Sequence, residues 1–214
     1  MGFFSWKKKP KYELILFSER DQEAYENMIR DRIGSYETVF HEIVSPDLHI
    51  DVIPIPPSEE RNYYTLLTMG MGAYRMPVPS VYGRMNRAEL AIRLPADWDI
   101  RSNDEKWYWP VGLLKDLARF PYYQKTWLGY GHDVDFGSHF SADTELCAVL
   151  LDIFDDSIEP LTLENGDQLV IYNVIPIYRS EMEYKNEHDV EALLEKMTEE
   201  TIHGPLNLKR ASVI

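Results

Sequence analysis

Trp107-Tyr108-Trp109-Pro110-Val111-Gly112-Leu113-Leu114-Lys115-Asp116-Leu117-Ala118-Arg119-Phe120-Pro121 is the stretch that organises this chain, and Gly129-Tyr130-Gly131-His132-Asp133-Val134 follows shortly after it. The spacing predicts a short helix over 110–120. Pro110 suits a first helical turn, because its missing N–H has no intrahelical partner there. Val111, Leu114 and Ala118 recur on one face and Leu113, Leu117 and Phe120 on an adjoining one, the pattern of a buried stripe. Pro121 biases the preceding residue away from α geometry and is expected to stop the helix.

Upstream, Ser18 caps an expected helix to about Ile33, with Asp21 in the third position and Gly34 as its stop. Tyr36–Ile43 and Leu48–Ile55 read as strands joined through Ser45-Pro46-Asp47, and Pro54, Pro56 and Pro57 place the end of the second at a sheet edge or exit. Tyr63–Met69 and Ala88–Leu94 are further strands. The latter alternates, with Ala88, Leu90, Ile92 and Leu94 inward and Glu89 and Arg93 outward. Downstream, Leu146–Ile153 is apolar enough for a strand covered on both faces. Asn165-Gly166 marks a hairpin turn between 160–164 and Gln168–Ile177, and Asn186 is the expected cap of a last helix carrying Val190, Leu193, Leu194 and Met197. The long irregular stretches are 70–86 and 122–145, a length associated with functional or mobile loops. The fold expected is α+β: a single domain over 18–200, a mixed β-sheet with helices packed on its faces. A tail or first strand precedes it over 1–17, and a tail follows over 201–214.

Four segments in this order resemble the suppressor of fused (SUFU) family: Tyr63–Met71, Glu89–Trp98, the 109–134 region with its Trp-Pro, Leu-Ala-Arg-aromatic and Gly-x-His-x-Val pieces, and the strands at Leu150-Leu151 and Gln168–Ile177. The resemblance spans about residues 45 to 200. Animal members are hedgehog-pathway regulators that clamp a transcription-factor peptide with the help of an additional C-terminal domain. This chain stops near where that domain would begin, and so is similar to the short bacterial members, many of them regarded as immunity proteins against secreted polymorphic toxins. The resemblance implies a SUFU-like fold, no catalysis, no cofactor and a protein partner.

Composition agrees with a globular chain: 214 residues, 44% apolar and 13% aromatic. No apolar run approaches the roughly 20 residues of a membrane helix. Met1–Lys9 has its basic residues after the apolar ones and lacks the layout of a secretory signal, and Trp6 stands where a myristoylation motif has Ser or Thr. One cysteine, Cys147, excludes an intrachain disulfide and points to the cytoplasm. Its apolar setting is that of a core thiol. The net charge is −14; residues 139–214 hold 16 Asp or Glu against 5 Lys or Arg, a net of −11. Such a field disfavours nucleic acid and attracts a basic protein, which fits a basic toxin or effector as partner.

Candidate contact residues are Tyr74, Arg75 and Met76 on the 70–86 loop, Trp107, and the acidic group Asp155, Asp156 and Glu159. Met, Tyr and Arg on a loop are residue types enriched at adaptable interfaces; Met69, Met71 and Met76 serve equally well as core plugs. Of Trp107 and Trp109, one is expected in the core and the other exposed. In the animal relatives a tyrosine near the position of Tyr74 lines the peptide cleft. The competing reading is a metal-dependent hydrolase built on His132, Asp135 and His139, whose spacing matches no established ligand motif. His49 and Asp51 alternate onto one strand face as base and orienting carboxylate, and no nucleophile stands out beside them. Asp152, Asp155 and Asp156 end a strand without a phosphate loop or a lysine to complete a magnesium site. A third reading is an intracellular regulator or scaffold.

Overall fold

Tyr63–Met69 (β2) and Met85–Pro95 (β3) pair antiparallel and form the spine of a seven-stranded sheet. The structure, a computed structural model, describes residues 14–45 and 47–214. The amino-terminal tail read over 1–17 therefore lies mostly outside the described residues, as does Pro46; within it, Ile15 makes a parallel bridge to Leu48. Asp51–Ile55 (β1), Asp133–Asp135 (β4), Ala148–Ile153 (β5), Leu161–Thr162 (β6) and Gln168–Ile177 (β7) complete the sheet in the order β1-β2-β3-β7-β5-β4, with β6 on β7. β3 and β7 run parallel and every other pair is antiparallel, so the sheet is mixed.

Helices cover both faces. Glu105–Gln124 (α2) packs through Val111, Leu114 and Leu117 on the face carrying Leu66, Leu90, Ile92, Val149 and Leu151. Glu19–Arg32 (α1) buries Tyr25 and Ile29 on the opposite face, over Ile53, Leu67 and Ala91. Beside it, Arg179–Glu187 (α3), Val190–Leu194 (α4) and Glu199–His203 (α5) cover Ala148, Leu150, Ile175 and Ile177 with Met182, Leu193 and Ile202. Both faces of β3 are therefore buried. Glu89 and Arg93, expected outward, lie inside the second layer.

Several local expectations meet the structure directly. Ser18 Oγ accepts the Asp21 N–H at 3.0 Å and starts α1, while the Asp21 carboxylate turns away to accept Glu164 N–H at 2.8 Å. Gly34, at φ +152°, follows the helix end. Gly166, at φ +77°, makes the 160–168 turn between β6 and β7.

Others are corrected. α2 is longer than 110–120 at both ends. Asp104 caps it by accepting Lys106 N–H at 2.9 Å, and Pro121 lies inside it, its carbonyl accepting Lys125 N–H. The nine buried residues on α2 outweigh the local objection of a late proline. Residues 36–43 form no strand beyond a bridge of Phe40 to Val52, because Asp51 captures His41 and the Glu42 N–H. The second strand begins at Asp51, not Leu48. Asp189, not Asn186, caps α4; Asn186 sits within α3 and donates to Asp133. Residues 201–214, set apart in the sequence as a tail, contain part of α5 and run along the domain. Leu206 N–H donates to Arg93 O, and Arg210 reaches the buried Glu181.

Candidate partner-binding surface

Among the described residues, three short helices build a layer rich in carboxylates. Each is nucleated by its own cap: Glu181 accepts the Tyr178 N–H at 2.9 Å, Asp189 accepts Ala192 N–H at 2.8 Å and Thr198 accepts Thr201 N–H at 3.2 Å. Their apolar residues are drawn into the sheet, which turns Glu183, Glu187, Asp189, Glu191, Glu195, Glu199 and Glu200 to solvent. The two lysines nearby are engaged: Lys185 pairs with Asp133, and Lys196 lies over the Tyr184 ring at 5.1 Å. What remains is a field of exposed carboxylates edged by Tyr130 and Tyr184.

The acidic group expected at the strand exit lies on the same layer. Asp155, Asp156 and Glu159 are exposed on the β5–β6 connection. Asp155 accepts Ser157 N–H at 2.9 Å and Ser157 Oγ–H at 2.6 Å, and these bonds hold its carboxyl below the usual range. Asp152 is buried instead, and burial raises its pKa.

The aromatic candidates lie elsewhere. Tyr74 packs edge-on against Tyr122 near the end of α2, at 5.4 Å between ring centres, and Trp107 sits near its beginning. Fifteen residues of helix separate Trp107 from Tyr122, about 22 Å at 1.5 Å per residue. Both belong to the α2 layer, across the sheet from Asp155. Met76 is buried in the core with its sulfur 3.4 Å from Leu128 N, and Met69 and Met71 are buried too, so the methionines are plugs. Arg75 is exposed, 3.6 Å from Asp167. Trp109 is the core tryptophan, stacked on Phe140. Trp107 is partly open and walls a cleft of about 600 Å³ with Trp98, Leu206 and Leu208.

His132, Asp135 and His139 do not converge. The His132 ring lies against Trp127 at 4.2 Å, and burial lowers its pKa. Asp135 is held by both terminal nitrogens of Arg179, at 2.8 and 3.0 Å, which keeps its carboxyl ionised to lower pH; His139 is exposed. Among the described residues no group of three His, Cys, Asp or Glu side chains is placed to hold a metal ion.

His49 and Asp51 do pair, at 3.1 Å, and Ser45 Oγ stands 2.7 Å from His49 Nδ1. That hydroxyl was not singled out in the sequence, although it lies four residues from the histidine. It also stands 2.6 Å from Glu42 Oε2, and Glu42 is ion-paired with Arg119 at 2.5 Å. The cluster ties the 41–49 segment to α2. The sequence also missed the α3–α5 carboxylates as a surface, although their charge was counted. Their spacing on short capped helices was the available signal.

A mixed sheet with α2 on one face and α1 and α3–α5 on the other, bearing a carboxylate-rich layer, defines a single-domain α+β protein of the SUFU architecture. The chain belongs to the suppressor of fused family: the family model for suppressor of fused protein (SUFU) matches residues 46–211. A SUFU homologue from Neisseria gonorrhoeae FA 1090 superposes with a TM-score of 0.66 at 16% identity, covering 92% of this chain and 98% of that one. The structure of the Sufu-Fu complex gives 0.66 at 12% identity, over 90% and 92%. These are likenesses of fold. In sequence, the uncharacterized protein UU111 of Ureaplasma parvum serovar 3 is 24% identical over 183 residues, covering 82% of this chain and 86% of that protein. No helix among the described residues is long and apolar enough to cross a membrane.

Proposed function

We propose that this protein is a non-enzymatic binding protein that neutralises a basic protein, a toxin or effector, by covering it with the acidic α3–α5 surface, as an immunity protein does. One observation carries this reading. Glu183 and Glu187 stand four residues apart on α3, and Glu191 and Glu195 stand four apart across α4 and its cap. Like charges at that spacing weaken a helix, by about 0.2–0.5 kcal/mol per pair. Arg179 and Lys196 are the cations beside these pairs, and Arg179 is already paired with Asp135; seven exposed carboxylates still leave the layer strongly negative, and a basic partner would turn that repulsion into attraction. That a SUFU fold is seen in a complex, the Sufu-Fu complex, adds support from a relative.

The test is a comparison of two tagged chains used as bait in the native cell. The wild type is expected to retain a basic protein in stoichiometric amount, sensitive to salt. A variant with Glu183, Glu187, Glu191 and Glu195 all changed to Lys, folded by circular dichroism, is expected to lose it. Equal retention by both baits refutes this surface.

A further inference from the structure

Arg93 stands directly opposite Thr65 in the β2–β3 ladder, on the α1 side of the sheet. Both are inside the protein, Arg93 at 7% exposure and Thr65 at 0%. Arg93 Nη2 donates to Phe154 O at 2.9 Å, and the guanidinium lies over the Phe154 ring at 4.3 Å. Its Nε and Nη1 have no hydrogen-bond partner among the described residues, and neither do Thr65 Oγ1 and Arg61 Nε. Buried polar groups are ordinarily paired, and a guanidinium cannot discard its charge to escape the cost.

The residues that carry these groups line one open cleft of about 650 Å³, between the carboxy-terminal end of α1, the Pro56-Pro57 exit of β1, β2, β3 and Phe154, with the unpaired atoms themselves beneath its surface. Arg61 is fixed at its side, donating to the carbonyls of Ile33 and Pro56. Arg32 stands at the rim. In a chain of net charge −14, three arginines facing one cleft run against the overall field. Two carboxylates, Glu60 and Asp155, line it as well, so its local charge is 3 − 2 = +1. Asp155 and the Tyr63 phenol lie close enough to act on the Arg93 charge, yet neither closes a hydrogen bond to its Nε or Nη1, and Asp155 Oδ1 is taken by Ser157 in its own loop. A charge of +1 suits a singly charged oxyanion better than a phosphate dianion. Tyr63, Phe154 and the two prolines supply apolar wall for a body attached to it.

We infer that this cleft binds a carboxylate carried on an apolar body, with Arg93 and Thr65 as its buried contacts. The carboxylate comes either from a small aromatic acid or from the free end of a peptide, and the test separates these sources. Full-length protein is titrated by calorimetry with phenylacetate, phenylacetamide, phenyl phosphate, and a tripeptide ending in Phe as free acid and as amide. Saturable binding of phenylacetate without binding of phenylacetamide is expected, and it is accompanied by a rise in Tm. Arg93→Met and Thr65→Val are each expected to weaken it by about tenfold or more, the worth of one charge-assisted hydrogen bond. Tighter binding of the peptide acid than of phenylacetate assigns the chain-end source; the reverse assigns the small acid. The inference is overturned if neither acid binds saturably, if acid and amide bind alike, if phenyl phosphate outcompetes both acids, or if the folded variants bind as the wild type does. Should Arg93→Met fail to fold, Thr65→Val decides alone.

Discussion

Glu89 allows a quantitative test of how the second layer is built. Its side chain is fully buried, with Oε1 accepting the N–H groups of Gly70 and Gly72 at 2.8 and 2.9 Å and Oε2 bonded to Thr68 Oγ1 at 2.5 Å. Burial raises its pKa from 4.5 to about 7, overcoming the opposing pull of Thr68 and of the turn amides. Between those two values the folded protein holds a proton that the unfolded chain has released. The group therefore favours folding fully below pH 4.5, and that contribution is lost as pH rises through 7. At about 1.4 kcal/mol per pH unit, the span comes to about 3 kcal/mol. Glu89→Gln removes the ionisation and keeps the contacts: the amide oxygen accepts both glycine N–H groups and the amide nitrogen donates to Thr68. Urea denaturation of both proteins from pH 5 to pH 8 measures the difference. The variant is expected to gain on the wild type by about 2–3 kcal/mol across that range, in the direction of rising pH. Parallel curves would show that the carboxylate is already ionised at pH 5, held by its three donors, and would refute the reasoning.

Two further predictions concern the joints of the fold. Arg210 pairs with Glu181, which is fully buried, through both terminal nitrogens at 2.5 and 2.6 Å, and so fastens the 204–214 segment to α3. Arg210→Met should cost about 3–5 kcal/mol in urea denaturation, because it strands a buried carboxylate. Adding Glu181→Gln should recover much of that loss, and strict additivity of the two changes would contradict the account. Gly70 has φ +127°, and a Cβ there would lie 1.9 Å from His49 O. Gly70→Ala is expected to lower stability by about 2 kcal/mol or more, read as a fall in Tm. An unchanged Tm would mean that the turn is not held as described.

The elements with strong local signals were legible from the sequence: the Ser18 cap, the β2 and β3 runs, and the Asn165-Gly166 turn. Each depends on neighbours within a few residues, which a sequence displays. Misjudged elements depended on distant partners. Pro121 reads as a stop until the sheet beneath α2 is known, and residues 36–43 read as a strand until Asp51 is seen to take their polar groups. The alternation in β3 correctly found the α2 face. It misplaced Glu89 and Arg93, because a second layer of helices covers the other side. The same long-range packing sets Tyr74 and Trp107 on the α2 layer and Asp155 across the sheet from them, an arrangement that neighbours in sequence do not display.

The proposed role is tested most directly by amide hydrogen exchange on the complex with the basic protein retained by the wild-type bait. Slowed exchange concentrated in residues 179–203 is the result expected of a partner lying on α3–α5. Protection confined to the Trp98–Trp107 cleft, or spread evenly with none on those helices, would contradict it.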